Sequence, residues 1–109
     1  RYWLTPPELE HFRHGAWDPC PYPWDGFNAI SRPWKKPWYL NPPFNRATSF
    51  VRKAIEEDGP GCIVFPITSP TALLLRAHAT IRSLGRVRWL EVETNDPMPH
   101  GVECAVAWL

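Results

Sequence analysis

Trp38-Tyr39-Leu40-Asn41-Pro42-Pro43-Phe44 is the stretch on which the reading of the chain turns. Three apolar residues make a short strand, and the prolines halt it: each fixes its own φ and supplies no N–H to continue a ladder. Residues 46–57 then place Phe50, Val51, Ala54 and Ile55 on one helical face, with Gly59 and Gly61 to end the helix. Cys62-Ile63-Val64-Phe65 is apolar without alternation, the pattern of a strand buried on both faces. Strand, helix, strand is the unit that makes a parallel pair.

Towards the N-terminus, Ala16-Trp17-Asp18 reads as another short buried strand whose tip presents Asp18 before Pro19. Ahead of it, Thr5-Pro6-Pro7-Glu8 predicts a helix start, with Thr5 as cap, Pro6 in the first turn and Glu8 closing a capping box. That helix carries Leu9 and Phe12 inward and stops at Gly15. Residues 19–37 hold five prolines without a period and read as a loop. Beyond the central unit, Ser69-Pro70 opens a helix to about His78, with Leu73, Leu74 and Ala77 as its stripe. Residues 86–92 and 102–109 are the last two strands, joined by a polar loop containing Pro97 and Pro99. The order predicts one α/β domain over residues 1–109, a mostly parallel sheet flanked by helices and finished by an antiparallel edge pair.

At 109 residues and 44% hydrophobic, the chain is long enough for one core and too short for a second domain. Fourteen prolines would suggest disorder, but 7 tryptophans exclude it, because disordered segments lack aromatics. Cys20, Cys62 and Cys104 are far apart with no CxxC, which fits buried thiols in a reducing compartment. His11, His14, His78 and His100 lack ligand spacing with them, so no metal is expected. No apolar run reaches the ~18–20 residues of a membrane span.

In an open α/β sheet, ligands sit beyond the carboxyl ends of the strands, which here carry Asp18-Pro19, Asn41-Pro42-Pro43-Phe44 and Pro66. An amide side chain and a bare carbonyl at one strand tip can together accept both protons of an exocyclic amine. An aromatic beside them offers a face for a planar base. That arrangement suits methylation of adenine N6, whose lone pair must be drawn out of the ring before it can attack. A basic island surrounds the box: residues 26–55 contain no acid, yet hold Arg32, Lys35, Lys36, Arg46, Arg52 and Lys53. Phosphate contacts around an extruded base need such charge. Trp24, Trp34 and Trp38 interleave with it as stacking candidates or core residues.

These pieces resemble, in order and over nearly the whole chain, the phage-type, Dam-like DNA N6-adenine methyltransferases. The matching segments are Trp3-Leu4-Thr5-Pro6, Trp17-Asp18-Pro19-Cys20, Asp25-Gly26-Phe27 with Trp34, residues 38–44, Phe50-Val51-Arg52-Lys53-Ala54, the strand ending at Pro66 and the closing strand. The resemblance implies a small Rossmann-like fold, S-adenosylmethionine as methyl donor and no metal. It implies donor-binding roles for Thr5, Pro6, Asp18, Pro19, Cys20, Asp25 and Phe27, and a catalytic role for Asn41, Pro42, Pro43 and Phe44. DNA is the implied partner, with RNA as an alternative and a homodimer left open, in the cytoplasm of a bacterial host. The chain departs from the family in two ways. No glycine-rich turn follows Asp18, and only four residues separate Cys20 from Asp25 where the family has a longer insertion. The second and third strands of the full sheet are therefore expected to be missing, and the competing reading is an inactive nucleic-acid-binding relative.

Overall fold

A computed structural model of the chain describes residues 3–21, 26, 28–68 and 70–109. Its core is a four-stranded sheet in the order β2 (Trp38–Leu40), β3 (Gly61–Pro66), β6 (Val102–Trp108), β4 (Thr80–Val87). A separate antiparallel ribbon pairs β1 (Trp3–Leu4) with β5 (Leu90–Glu91). Two helices, α1 (Ala47–Glu57) and α2 (Pro70–Arg76), follow β2 and β3.

The strands of the central sheet obey a period of two, and the two apolar clusters separate accordingly. Trp38, Leu40, Ile63, Phe65, Ala105 and Ala107 belong to the cluster that includes Phe50, Val51 and Ala54 of α1 and Leu74 of α2. Tyr39, Cys62, Val64, Cys104 and Val106 belong to the other, with Leu9, Val87 and Trp89. Both faces of β3 and β6 are therefore covered, which is why these strands read as unbroken apolar runs.

The sheet is not the mostly parallel, Rossmann-like one that the order of elements predicts. β2 and β3 are parallel, with Leu40 opposite Ile63, but β6 lies antiparallel to β3 on one side and to β4 on the other. An antiparallel pair does stand at one edge of the sheet, β6 with β4, but β6 also pairs with β3, so the edge strand is β4. The connection from β4 to β6, residues 88–101, holds β5 and no helix, and the chain returns antiparallel; a parallel crossover usually carries an α-helix.

Several local expectations are corrected too. The 16–18 segment is a single parallel bridge, Trp17 to Trp38, and not a strand. The first helix is a 3-10 turn over Pro7–Phe12 with Pro6 at its cap and no side-chain cap bond, so Thr5 and Glu8 make no capping box. The helix expected to run to about His78, α2, ends at Arg76, with His78 at φ 59. The strand expected over residues 86–92 begins at Thr80 instead and breaks before β5. A bulge between Ser83 and Gly85, the latter at φ 72, shifts the register and spoils the alternation that would have revealed β4. No helix among the described residues is long and apolar enough to cross a membrane.

Candidate functional site

Although antiparallel pairing dominates the sheet, the predicted site lies on its parallel side. Trp17 N–H donates to the Pro37 carbonyl at 2.9 Å, and the Trp17 carbonyl accepts from Tyr39 N–H at 2.8 Å. Residues 16–18 thus run alongside β2 in the same direction, and Asp18 and Asn41 follow at neighbouring chain tips. The N-terminal segment is tied to this end of β2 by two polar bonds. Asn41 Nδ2 donates to the Trp3 carbonyl at 3.2 Å, and the Thr5 and Tyr39 hydroxyls lie 3.3 Å apart. The Thr5 oxygen therefore serves a buried phenol instead of a helix terminus; burial raises the Tyr39 pKa above its ordinary value despite that bond.

The result is a cleft of about 150 Å³ lined by Trp3, Leu4, Thr5 and Arg13, by Asp18, Cys20 and Pro21, and by Asn41-Pro42-Pro43-Phe44. A cavity of about that volume takes a single benzene-sized ring. It therefore takes one end of a larger ligand, the rest of which lies outside it. Three segments distant in sequence are brought together here. Pro6 and Pro19 are buried beside them without lining the space, while Asp25, Phe27 and Trp24 lie outside the described residues.

Asn41 is the unusual member. Its Nδ2 is committed to a carbonyl, which fixes the orientation of the amide, and its Oδ1 is buried with no hydrogen-bond partner. Next to it, the Pro43 carbonyl accepts from Arg46 N–H at 2.9 Å, whereas among the described residues no backbone hydrogen bond falls on the Pro42 carbonyl. Two acceptors are thereby left at one strand tip. Phe44, also on the cleft, packs T-shaped on Trp89 with ring centroids 5.9 Å apart. The indole N–H of Trp89 finds no nitrogen or oxygen partner and is set beside the Cys104 sulfur.

Asp18 Oδ1 accepts from Cys20 N–H at 2.8 Å, which turns the chain sharply after the bridge. Burial first, and the Asp18 charge second, push the Cys20 thiol well up, so it stays protonated and is no nucleophile. Burial likewise pushes Cys62 up to about 12 and Cys104 to about 11. All three cysteines are free thiols, and among the described residues no three His, Cys, Asp or Glu gather as a metal site.

The basic island does not converge on the cleft. Arg32, Lys35 and Lys36 are exposed on the loop before β2. Arg46 is exposed over the Phe50 ring at 5.5 Å, and its charge reaches Cys20. With Phe44, Asn45, Thr48, Ser49 and Thr68 it borders a second, polar hollow. Arg52 instead faces a groove between α1 and α2 shared with Arg76. Lys53 is committed to Glu57 at 3.1 Å, its side chain only 10% exposed. Trp34 and Trp38 are buried against each other, centroids 5.2 Å apart, so both are core and not stacking surfaces.

Glu57 also accepts from Trp34 N–H at 2.6 Å, tying the loop to α1, and this backbone donor with Lys53 holds its carboxyl below the ordinary range. A carboxyl whose pKa is lower folded than unfolded adds stability above the ordinary glutamate range and gives it up as pH falls through the folded value. Thermal melts of the wild type and of Glu57→Gln are therefore expected to differ at neutral pH and to converge in acid. A gap independent of pH would show that the charge on Glu57 contributes nothing to the tie.

Sequence reasoning missed Arg13, which lines the cleft from the end of the 3-10 turn. Nothing local to His11-Phe12-Arg13-His14 signals it; only the fold brings it to the tip of β2. Compared with protein-family models, with curated proteins and with solved structures, the chain matches none, so the functional reading rests on the chemistry of the cleft itself.

Proposed function

We propose that the chain transfers a methyl group from S-adenosylmethionine to the N6 amino group of adenine in DNA, at the Asn41-Pro42-Pro43-Phe44 box. The observation that carries this reading is the buried, unpartnered Oδ1 of Asn41, with the Pro42 carbonyl as a second acceptor. A buried acceptor without a partner costs about 1–3 kcal/mol, and such costs persist where a ligand satisfies them. An amine with two protons fits two acceptors. Held by both, its nitrogen moves towards tetrahedral geometry and its lone pair becomes available. The donor supplies an electrophilic methyl on a sulfonium. The nitrogen–carbon bond forms as the carbon–sulfur bond breaks, the sulfur leaves as a neutral thioether, and the methylated nitrogen loses one proton to water. Phe44 stacks on the extruded base, Asp18 holds the donor's ammonium group, and Thr5 with Tyr39 positions the N-terminal wall. Arg46, two residues past the box, and the exposed Arg32, Lys35 and Lys36 contact phosphates; Arg52, on the groove between α1 and α2, and Lys53, paired with Glu57, do not.

Calorimetric titration with S-adenosylmethionine and S-adenosylhomocysteine tests the donor site, and transfer of labelled methyl to adenine-containing DNA or RNA tests the reaction. Micromolar donor binding followed by label on N6 is expected. A folded protein that binds neither compound would overturn the reading and leave a nucleic-acid-binding scaffold without transfer. Label appearing only on RNA would move the substrate.

A further inference from the structure

We propose that Arg13 holds the α-carboxylate of the donor's amino-acid end, so that the cleft recognises both charges of a zwitterionic headgroup. The inference rests on the donor reading above. It starts from two opposite charges on one small cleft: Arg13 reaches it from the end of the 3-10 turn, and Asp18 from the chain beyond the Trp17 bridge. Both charges also reach the phenol of Tyr39, whose pKa burial raises first, with Asp18 adding to the rise and Arg13 opposing it.

The backbone at Arg13 is fixed by its N–H, which donates to the Glu10 carbonyl at 3.1 Å. Glu10 also takes the Nε edge of the guanidinium, at 3.4 Å. Five N–H donors in a planar fork leave the terminal edge for a second carboxylate, which it can bind through two parallel bonds. A carboxylate on Arg13 and an ammonium on Asp18 describe an α-amino acid, whose two charges share one carbon. The volume of about 150 Å³ accommodates that headgroup, while the rest of the donor extends out of the described cleft. The selection is chemical: a donor lacking the carboxylate forgoes the contact with Arg13, and a bare nucleoside forgoes both contacts.

The experiment is calorimetric titration of the wild type, Arg13→Gln and Arg13→Lys with S-adenosylmethionine and with its decarboxylated form. The wild type is expected to prefer the carboxylated donor. Arg13→Gln should lose about tenfold towards S-adenosylmethionine, the scale of one charge-assisted contact at a partly exposed site, and nothing towards the decarboxylated donor. Unchanged affinity for the latter also shows that the variant is folded. Arg13→Lys should retain most of the preference, as a point charge without the fork. Equal weakening towards both donors, or none towards either, overturns the role of Arg13. A wild type that binds both donors equally overturns it too while leaving the donor site standing. Binding of neither overturns the inference together with the donor reading.

Discussion

Asn41→Ala should lower methyl transfer by about 100–1,000-fold while leaving the stability of the protein almost unchanged. The activity estimate is that for removing one preorganised polar group from a site where charge develops. The stability estimate comes from the two ends of the amide. Nδ2 donates to the Trp3 carbonyl, a bond worth about 1 kcal/mol net, and its loss is unfavourable. Oδ1 is buried without a partner, and deleting it removes a penalty of about 1–3 kcal/mol. The two nearly cancel, so the melting temperature should move little in either direction. Donor affinity should also survive, since the substitution leaves Asp18 and Arg13 in place. Asn41→Asp is the companion variant. It keeps an acceptor and so should retain more activity than the alanine. It should also be less stable, because the Trp3 carbonyl loses its donor and a second carboxylate joins Asp18 on the cleft. Transfer assays and thermal melts on the same preparations decide the matter. If Asn41→Ala unfolds the protein, or leaves transfer within about threefold of wild type, Asn41 is a structural residue and the amine-holding role is wrong.

That pairing of a stability-neutral change with a large functional effect bears on what could be read from the chain. The box was legible because its signals are local: an apolar triplet, two prolines and an aromatic determine a strand end whatever surrounds them. The helix over Ala47–Glu57 was legible for the same reason, its stripe of Phe50, Val51 and Ala54 repeating with the helical period. What the sequence withheld depends on distant partners. Thr5 has the chemistry of a cap, but the Tyr39 hydroxyl, 34 positions away, takes its side chain. The bulge at Ser83 and Gly85 hid the alternation of β4. The place of β6 between β3 and β4 is a long-range choice, and a run such as Cys104-Ala105-Val106-Ala107 says only that both faces are covered. Hence the class of elements was readable and the parallel character of the sheet was not. Of the site, the Asn41 box and Asp18 were found on tip positions, whereas Arg13 reached the cleft through tertiary folding alone.

A large loss of stability should come from Gly61→Ala, at about 3 kcal/mol or more and a fall in Tm of more than about 10 °C. Gly61 begins β3 directly opposite Trp38, and a methyl group there would fall within the Trp38 indole ring. The ring has nowhere to go. It is 1% exposed, its N–H donates to the Asp58 carbonyl at 2.9 Å, and Trp34 stands edge-on against it. The backbone is equally fixed, since Leu109 N–H donates to the Gly61 carbonyl at 3.0 Å and Gly61 N–H donates back at 3.3 Å. Backbone strain makes no contribution, because Gly61 is not among the glycines at positive φ. Gly15→Ala is the control of opposite kind. It sits at φ 75 with open space around it, so it pays only the left-handed penalty of about 1–2 kcal/mol. If collision is the cause, Gly61→Ala combined with Trp38→Leu should be more stable than the sum of the single changes allows, because the smaller side chain vacates the clashing volume. Chemical denaturation of the three variants measures this, and strict additivity would show that the methyl and the ring do not compete. Because Trp38 and Asn41 are the first residue of β2 and the residue just past its end, a protein that survives Gly61→Ala by displacing the indole should also lose transfer. A close contact at the foot of the strand thus bears on the position of the Asn41 amide just past its tip.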